Sequence, residues 1–186
     1  MRRLIRGAVP AVALLASVAA APQALAGDAA PTHADRVVPG TGVSLSEAGA
    51  RSAQTRAIAA ANPAAVRATA TLCGSGYELQ FAERLPDARR FGTLFTYTKS
   101  STGRFGACAV FDNNLGTAKH MKLKLCPNKA NTACKTDEGT YSQYAGPVKY
   151  EDNGPGGWVD CSMVNAIMWS DGIAIIDRQM AVAPCD

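Results

Sequence analysis

Apolar positions along this chain change rhythm twice. From Ala8 to Ala21 they form one run broken only by Pro10 and Ser17, and the residues ahead of that run include Arg2, Arg3 and Arg6. A basic start, an apolar stretch and then Ala24-Leu25-Ala26 make the three-part pattern of an export leader, so residues 1–26 read as a signal peptide cleaved after Ala26. The alternative is a membrane anchor, but the run falls short of the roughly 20 residues that cross a bilayer. No later stretch is longer, and the first cysteine, Cys73, is too far from the cleavage point to carry a lipid there. The mature chain is therefore expected outside the membrane, with no insertion after cleavage.

Beyond Ala26 the apolar positions shrink. Residues 27–70 are rich in Ala, Gly, Pro and Thr and offer few large side chains for a core. This segment reads as a linker or pro-segment, with an arm packed on the following domain as the alternative. Ser44-Leu45-Ser46-Glu47 has the spacing of a capping box, and the alanines up to Asn62-Pro63 favour a helix over 45–61.

From Thr71 onward β-branched and aromatic residues arrive in short runs separated by turn chemistry. Tyr77, Leu79 and Phe81 alternate with Glu78 and Gln80, a strand with one wet face. Gly92 to Lys99 reads as a second strand. Ala107 to Phe111 is apolar on both faces, as expected of a central strand. In Lys119 to Cys126, Met121, Leu123 and Leu125 share one face while His120, Lys122 and Lys124 share the other. That basic row is the pattern of a solvated strand face, though it could also meet an anionic polymer. Tyr141 to Tyr150 is extended and interrupted by Gly146-Pro147, which suits an edge strand or a bend. Met163–Ser170 and Ile173–Arg178 flank Asp171-Gly172, the signal of a tight type I′ hairpin, and a last strand over Met180–Ala183 leads to Cys185. The fold class is all-β: a small disulfide-stapled antiparallel sandwich or barrel of about seven to eight strands over residues 71–186, preceded by a flexible or partly helical segment.

Charge narrows the partners. The formal net charge is +4, but three of the 19 basic residues lie in the leader, leaving 16 against 15 acidic residues. A nearly neutral mature chain lacks the basic footprint of phosphate binding, so nucleic acid is not an expected partner. Cysteine usage narrows the compartment. Cys73, Cys108, Cys126, Cys134, Cys161 and Cys185 are an even set without a C-x-x-C pair, and only His33 and His120 could join them at a metal. Disulfides outside the cytoplasm are expected rather than zinc. Spacing leaves the connectivity open. Cys126 and Cys134 bracket a polar loop and are the first pair to expect, with Cys73–Cys108 and Cys161–Cys185 beside it.

Chemistry is sparse. His33 falls in the Ala-rich segment and His120 in mid-strand, so neither is placed to serve a serine or cysteine nucleophile. Asp137-Glu138 and Glu151-Asp152 are adjacent pairs near glycine-containing turns rather than two carboxylates across a cleft. The loops around Asp112 and Glu151 lack the spacing of a calcium loop. No enzyme, metal or cofactor is expected. The candidates for recognition are Tyr141, Tyr144, Trp158 and Trp169 in the later strands and turns, which could give sugars a platform or else fill the core.

The stretches Cys73-Gly74-Ser75-Gly76-Tyr77, Gly92 to Tyr97, Ala107-Cys108-Ala109-Val110 and Asp137-Glu138-Gly139-Thr140-Tyr141-Ser142-Gln143-Tyr144-Ala145-Gly146-Pro147-Val148 carry a resemblance. Over Cys73–Cys185 the chain resembles the spore-associated protein A family, small secreted proteins of filamentous actinomycetes. The resemblance implies a protein exported to the spore or cell surface, with no activity attached to the family. Cys73, Cys108, Cys161 and Cys185 look like its cysteines, implying a two-bridge frame, while Cys126 and Cys134 are an added pair. The function expected is a non-catalytic secreted surface protein, partnered by a cell-wall or spore-surface polymer. The rivals are a polysaccharide-binding module and an inhibitor of an exported hydrolase that presents the Cys126–Cys134 loop.

Overall fold

A computed structural model describes residues 36–185 apart from 87, 88, 102, 154–158 and 160. The expected signal peptide, the first part of the expected linker with His33, and Trp158 lie outside the described residues. Among the described residues eight strands follow three short helices: α1 Glu47–Arg51, α2 Ala53–Ala61, α3 Pro63–Cys73, β1 Glu78–Leu85, β2 Gly92–Ser101, β3 Arg104–Asn113, β4 Lys119–Cys126, β5 Lys135–Tyr141, β6 Tyr144–Asp152, β7 Met163–Ser170 and β8 Ile173–Ala181. The strands form two antiparallel sheets in the orders β1-β2-β3-β6 and β5-β4-β7-β8, so the chain is a β-sandwich.

The first sheet is covered on both sides. On β2 and β3, Leu94, Ala107, Ala109 and Phe111 point between the sheets and meet Met121, Leu123, Leu125, Val164, Ala166 and Met168 of the second sheet. Their neighbours Phe95, Tyr97, Cys108 and Val110 point the opposite way, into a second core with Ile58, Ala59, Val66 and Leu79. This double burial is why Ala107–Phe111 carries no polar alternation.

The second core corrects the expectation of a linker in favour of the alternative, an arm packed on the domain. From residue 36 the segment lies against the sheet, and its helices form a third layer. The sequence hid this because the contact is made by small residues at short range. Gly49 packs so closely on β1 that an added Cβ would collide with the Leu79 carbonyl oxygen. Hydroxyls substitute for bulk: Thr55 Oγ1 accepts the Ala82 amide at 3.2 Å, Thr69 Oγ1 and the Tyr97 hydroxyl are 2.6 Å apart, and Ser46 bonds Gln80. Each of these hydroxyls thus finds a partner across the layer boundary.

The expected helix over 45–61 is two helices, divided at Ser52, whose side chain accepts from the Thr55 amide and caps the second. Ser46, not Ser44, caps the first. The Ser44 carbonyl instead accepts the Leu79 amide at 2.8 Å, drawing the arm along the edge of β1. Pro63 does not end the helical region; it opens α3 at the first turn, where a missing N–H costs nothing.

Three strand expectations also change. Gln80 is buried under the helices, and a bulge between Leu79 and Phe81 interrupts the alternation expected there. The extended stretch Tyr141–Tyr150 breaks at Ser142-Gln143, and β6 beyond it is an edge strand that runs through Gly146-Pro147. The expected last strand is the end of β8. The hairpin between β7 and β8 turns at Asp171 and Gly172 with φ of 52° and 78°, the two positive angles of a type I′ turn.

Three disulfides staple the fold: Cys73–Cys108 ties the end of α3 to the centre of β3, Cys126–Cys134 closes the β4–β5 connection, and Cys161–Cys185 joins the approach to β7 with the exit from β8. Their Cα separations are 5.9, 4.1 and 5.1 Å. They fit an extracellular protein. Among the described residues no helix is long and apolar enough to cross a membrane.

Candidate functional site

The candidate aromatic residues do not converge. Tyr141 packs against the inter-sheet core, Tyr144 against the core under the helices, and Trp169 belongs to neither. Trp158 lies outside the described residues.

Tyr141 and its neighbours have an architectural role, which explains the run Asp137 to Val148. This run carries the chain from the second sheet into the first. Asp137 accepts the Tyr141 hydroxyl on Oδ1 and the Gly146 amide on Oδ2, each at 2.6 Å. Gly139 leaves room for the Tyr141 ring, and Gly146, at φ 101°, passes where a Cβ would meet the Ala109 carbonyl oxygen at 2.9 Å. Asn113 Nδ2 donates to the Tyr141 carbonyl at 2.9 Å, closing the corner onto β3. The hydrogen bond to Asp137 holds the Tyr141 hydroxyl above its ordinary pKa. Replacing Asp137 with Ala removes two charge-assisted bonds, and a loss of about 2–3 kcal/mol is expected. A denaturant titration of the variant measures it, and an unchanged midpoint contradicts the assignment.

Asp112 is the other carboxylate near a core. It lies beside Thr93 and Tyr144 in the first sheet, and burial pushes it up to about 6. The folded state therefore holds the Asp112 proton more tightly than the unfolded state, whose carboxyl titrates near the ordinary value of 3.8. This group's contribution to stability is fully present below that value and is lost as pH rises to about 6. Asp112→Asn is expected to stabilise the protein at neutral pH by on the order of 2 kcal/mol, and thermal melts at acidic and neutral pH check the sign.

Trp169 opens onto the one sheet face with no layer over it in the described residues. Strand register arranges that face in rows. The first is Thr140, His120, Trp169 and Ala174; the second Glu138, Lys122, Ile167 and Asp177; the third Thr136, Lys124, Asn165 and Gln179. Thus the basic row of β4 is the outer side of the sheet, opposite the fully buried Met121, Leu123 and Leu125. The His120 and Trp169 rings lie with centroids 4.8 Å apart at 46°. His120 Nε2 is 3.2 Å from Glu138 Oε1, and Lys122 Nζ is 2.8 Å from Glu138 Oε2. The hydrogen bond from Lys122, with His120 beside it, keeps the Glu138 carboxyl below its ordinary pKa. Asn165 Nδ2 donates to Asp177 Oδ1 at 3.2 Å. The sequence shows His120 and Trp169 separately, but only the pairing of β4 with β7 makes them neighbours.

The Cys126–Cys134 loop turns tightly, the Thr132 amide donating to the Lys129 carbonyl at 3.3 Å, and Lys129 Nζ pairs with Asp152 Oδ2 at 3.1 Å. Among the described residues no three His, Cys, Asp or Glu side chains gather where a metal could be held. Comparison with family models, with curated proteins and with solved structures finds no match to this chain.

Proposed function

We propose that this chain is an exported, non-catalytic protein that works at the spore or cell surface, like the family it resembles. The observation that carries the reading is a sandwich closed by three disulfides with one sheet face, bearing a tilted His120–Trp169 pair, left uncovered by the described residues. Disulfides suit a small fold that persists outside the cytoplasm. Residues of the resemblance also hold the fold together, since Asp137 accepts from both Tyr141 and Gly146 at the corner between the sheets. The leader pattern at residues 1–26 supplies the route.

The test is fractionation of a culture expressing the full chain, followed by incubation of the mature protein with purified cell walls and spores. Recovery with walls or spores is expected. Complete recovery in the medium, with none retained on either solid, overturns the surface reading and returns weight to a soluble inhibitor.

A further inference from the structure

We infer that the outer face of the second sheet holds a neutral polysaccharide, with the Trp169 ring as its stacking surface. The inference rests on the surface-associated reading above and names the ligand and the site. A pyranose ring presents a face of C–H groups and a rim of hydroxyls. An indole accepts the former through dispersion and its negative π-face. Planar and polar side chains around it bond the latter.

The face supplies both kinds of contact. Trp169 lies outside both cores and is half-buried, and the His120 ring lies beside it on the neighbouring strand at 4.8 Å, tilted by 46°. Glu138 touches His120 and is held in turn by Lys122, so the ring is positioned by a chain of contacts across three strands. Thr140 lies in the same row, and Lys124, Asn165 and Gln179 share a row two residues along. Four strands about 4.8 Å apart make a platform about 14 Å wide, which suits a chain of sugar rings better than a single one.

Charge decides between neutral and anionic polymers. In the three rows Lys122 and Lys124 are balanced by Glu138 and Asp177. A polyanion would meet two carboxylates on the surface that was to attract it. A neutral glycan meets the Trp169 ring and hydrogen-bonding groups around it, and because it carries no charge its binding should be insensitive to salt, even at about 1 M where the screening length falls to about 3 Å.

The experiment measures retention of the mature protein on purified cell walls, cellulose and chitin, at low salt and at about 1 M, with soluble oligosaccharides as competitors. Expected are retention on walls and on at least one neutral glycan, release by the matching oligosaccharide, and no release by salt. Trp169→Ala should weaken retention about tenfold or more with circular dichroism unchanged. Should that variant fold poorly, Lys124→Ala with Gln179→Ala leaves every ring in place and should weaken retention severalfold. Retention on walls that neither variant alters overturns this face as the site while the surface reading stands. Release by salt, or retention on walls but on no neutral glycan, overturns the ligand class. Self-association lost in Trp169→Ala makes the face an interface between copies and overturns the inference. No retention on walls or spores removes the surface reading as well.

Discussion

Reducing agent should abolish the cooperative thermal transition of the mature protein. In the chain-entropy description, closing the Cys73–Cys108, Cys126–Cys134 and Cys161–Cys185 loops restricts the unfolded chain by roughly 3.8, 2.6 and 3.5 kcal/mol. Together these approach the whole stability of an ordinary domain, roughly 5–15 kcal/mol. The buried pair has a further effect: Cys73 and Cys108 are 1 % and 0 % exposed, so opening their bridge leaves two thiols inside the helix–sheet core. A Cys73→Ser, Cys108→Ser variant is expected to melt about 8–15 °C lower, from about 2–4 °C per kcal/mol for a chain of this size. Circular dichroism melts with and without reductant make the comparison. A melting temperature that hardly moves shows that noncovalent packing suffices.

Loss of the helical layer should be as severe. A chain beginning at residue 74 would present Leu79, Phe95, Tyr97 and Val110, each at most 1 % exposed in the full chain, directly to water. Each large side chain so exposed costs about 1.5–3 kcal/mol, and an apolar patch on a sheet face also invites aggregation. The truncated chain is expected to be insoluble or unfolded. A milder version is Ile58→Ala, which empties part of the same core and should cost about 2–5 kcal/mol. Soluble yield and a denaturant titration read the two outcomes. A truncated chain that stays monomeric with an unchanged far-ultraviolet β signal contradicts an integral helical layer.

That layer also marks the limit of what the sequence made legible. The alternation of β4, with one wet face, was readable, and the strand matches its expected bounds of Lys119–Cys126. The Asp171-Gly172 turn was readable because only a few residue types accept its two positive φ angles. The helices were half readable: alanine signalled helix but not burial, since a search for large side chains overlooks a contact made by Gly49, Ala50, Ser46, Thr55 and Thr69. The strand β5 left almost no trace. Its inward positions are Asp137, Gly139 and Tyr141, and its outward ones Thr136, Glu138 and Thr140, so neither face is a hydrophobic row. Its inward side is not a hydrophobic row because Asp137 and Gly139 serve the corner, with Tyr141 alone reaching the inter-sheet core. For the candidate site, Tyr141 and Tyr144 looked equivalent to Trp169 by composition. What separates them is side-chain direction on either side of a turn, a property of register that the residues alone do not state.

The central position of β3 has one more consequence. It is hydrogen-bonded to β2 on one side and β6 on the other, buried on both faces, and bridged through Cys108 to the helices. Its amide protons can reach solvent only when the helix layer, the sandwich and the flanking strands all part. In deuterated water the amides of Ala107 to Val110 should therefore be the last to exchange, at a rate set by global opening, and the two cores should be lost in one event rather than in turn.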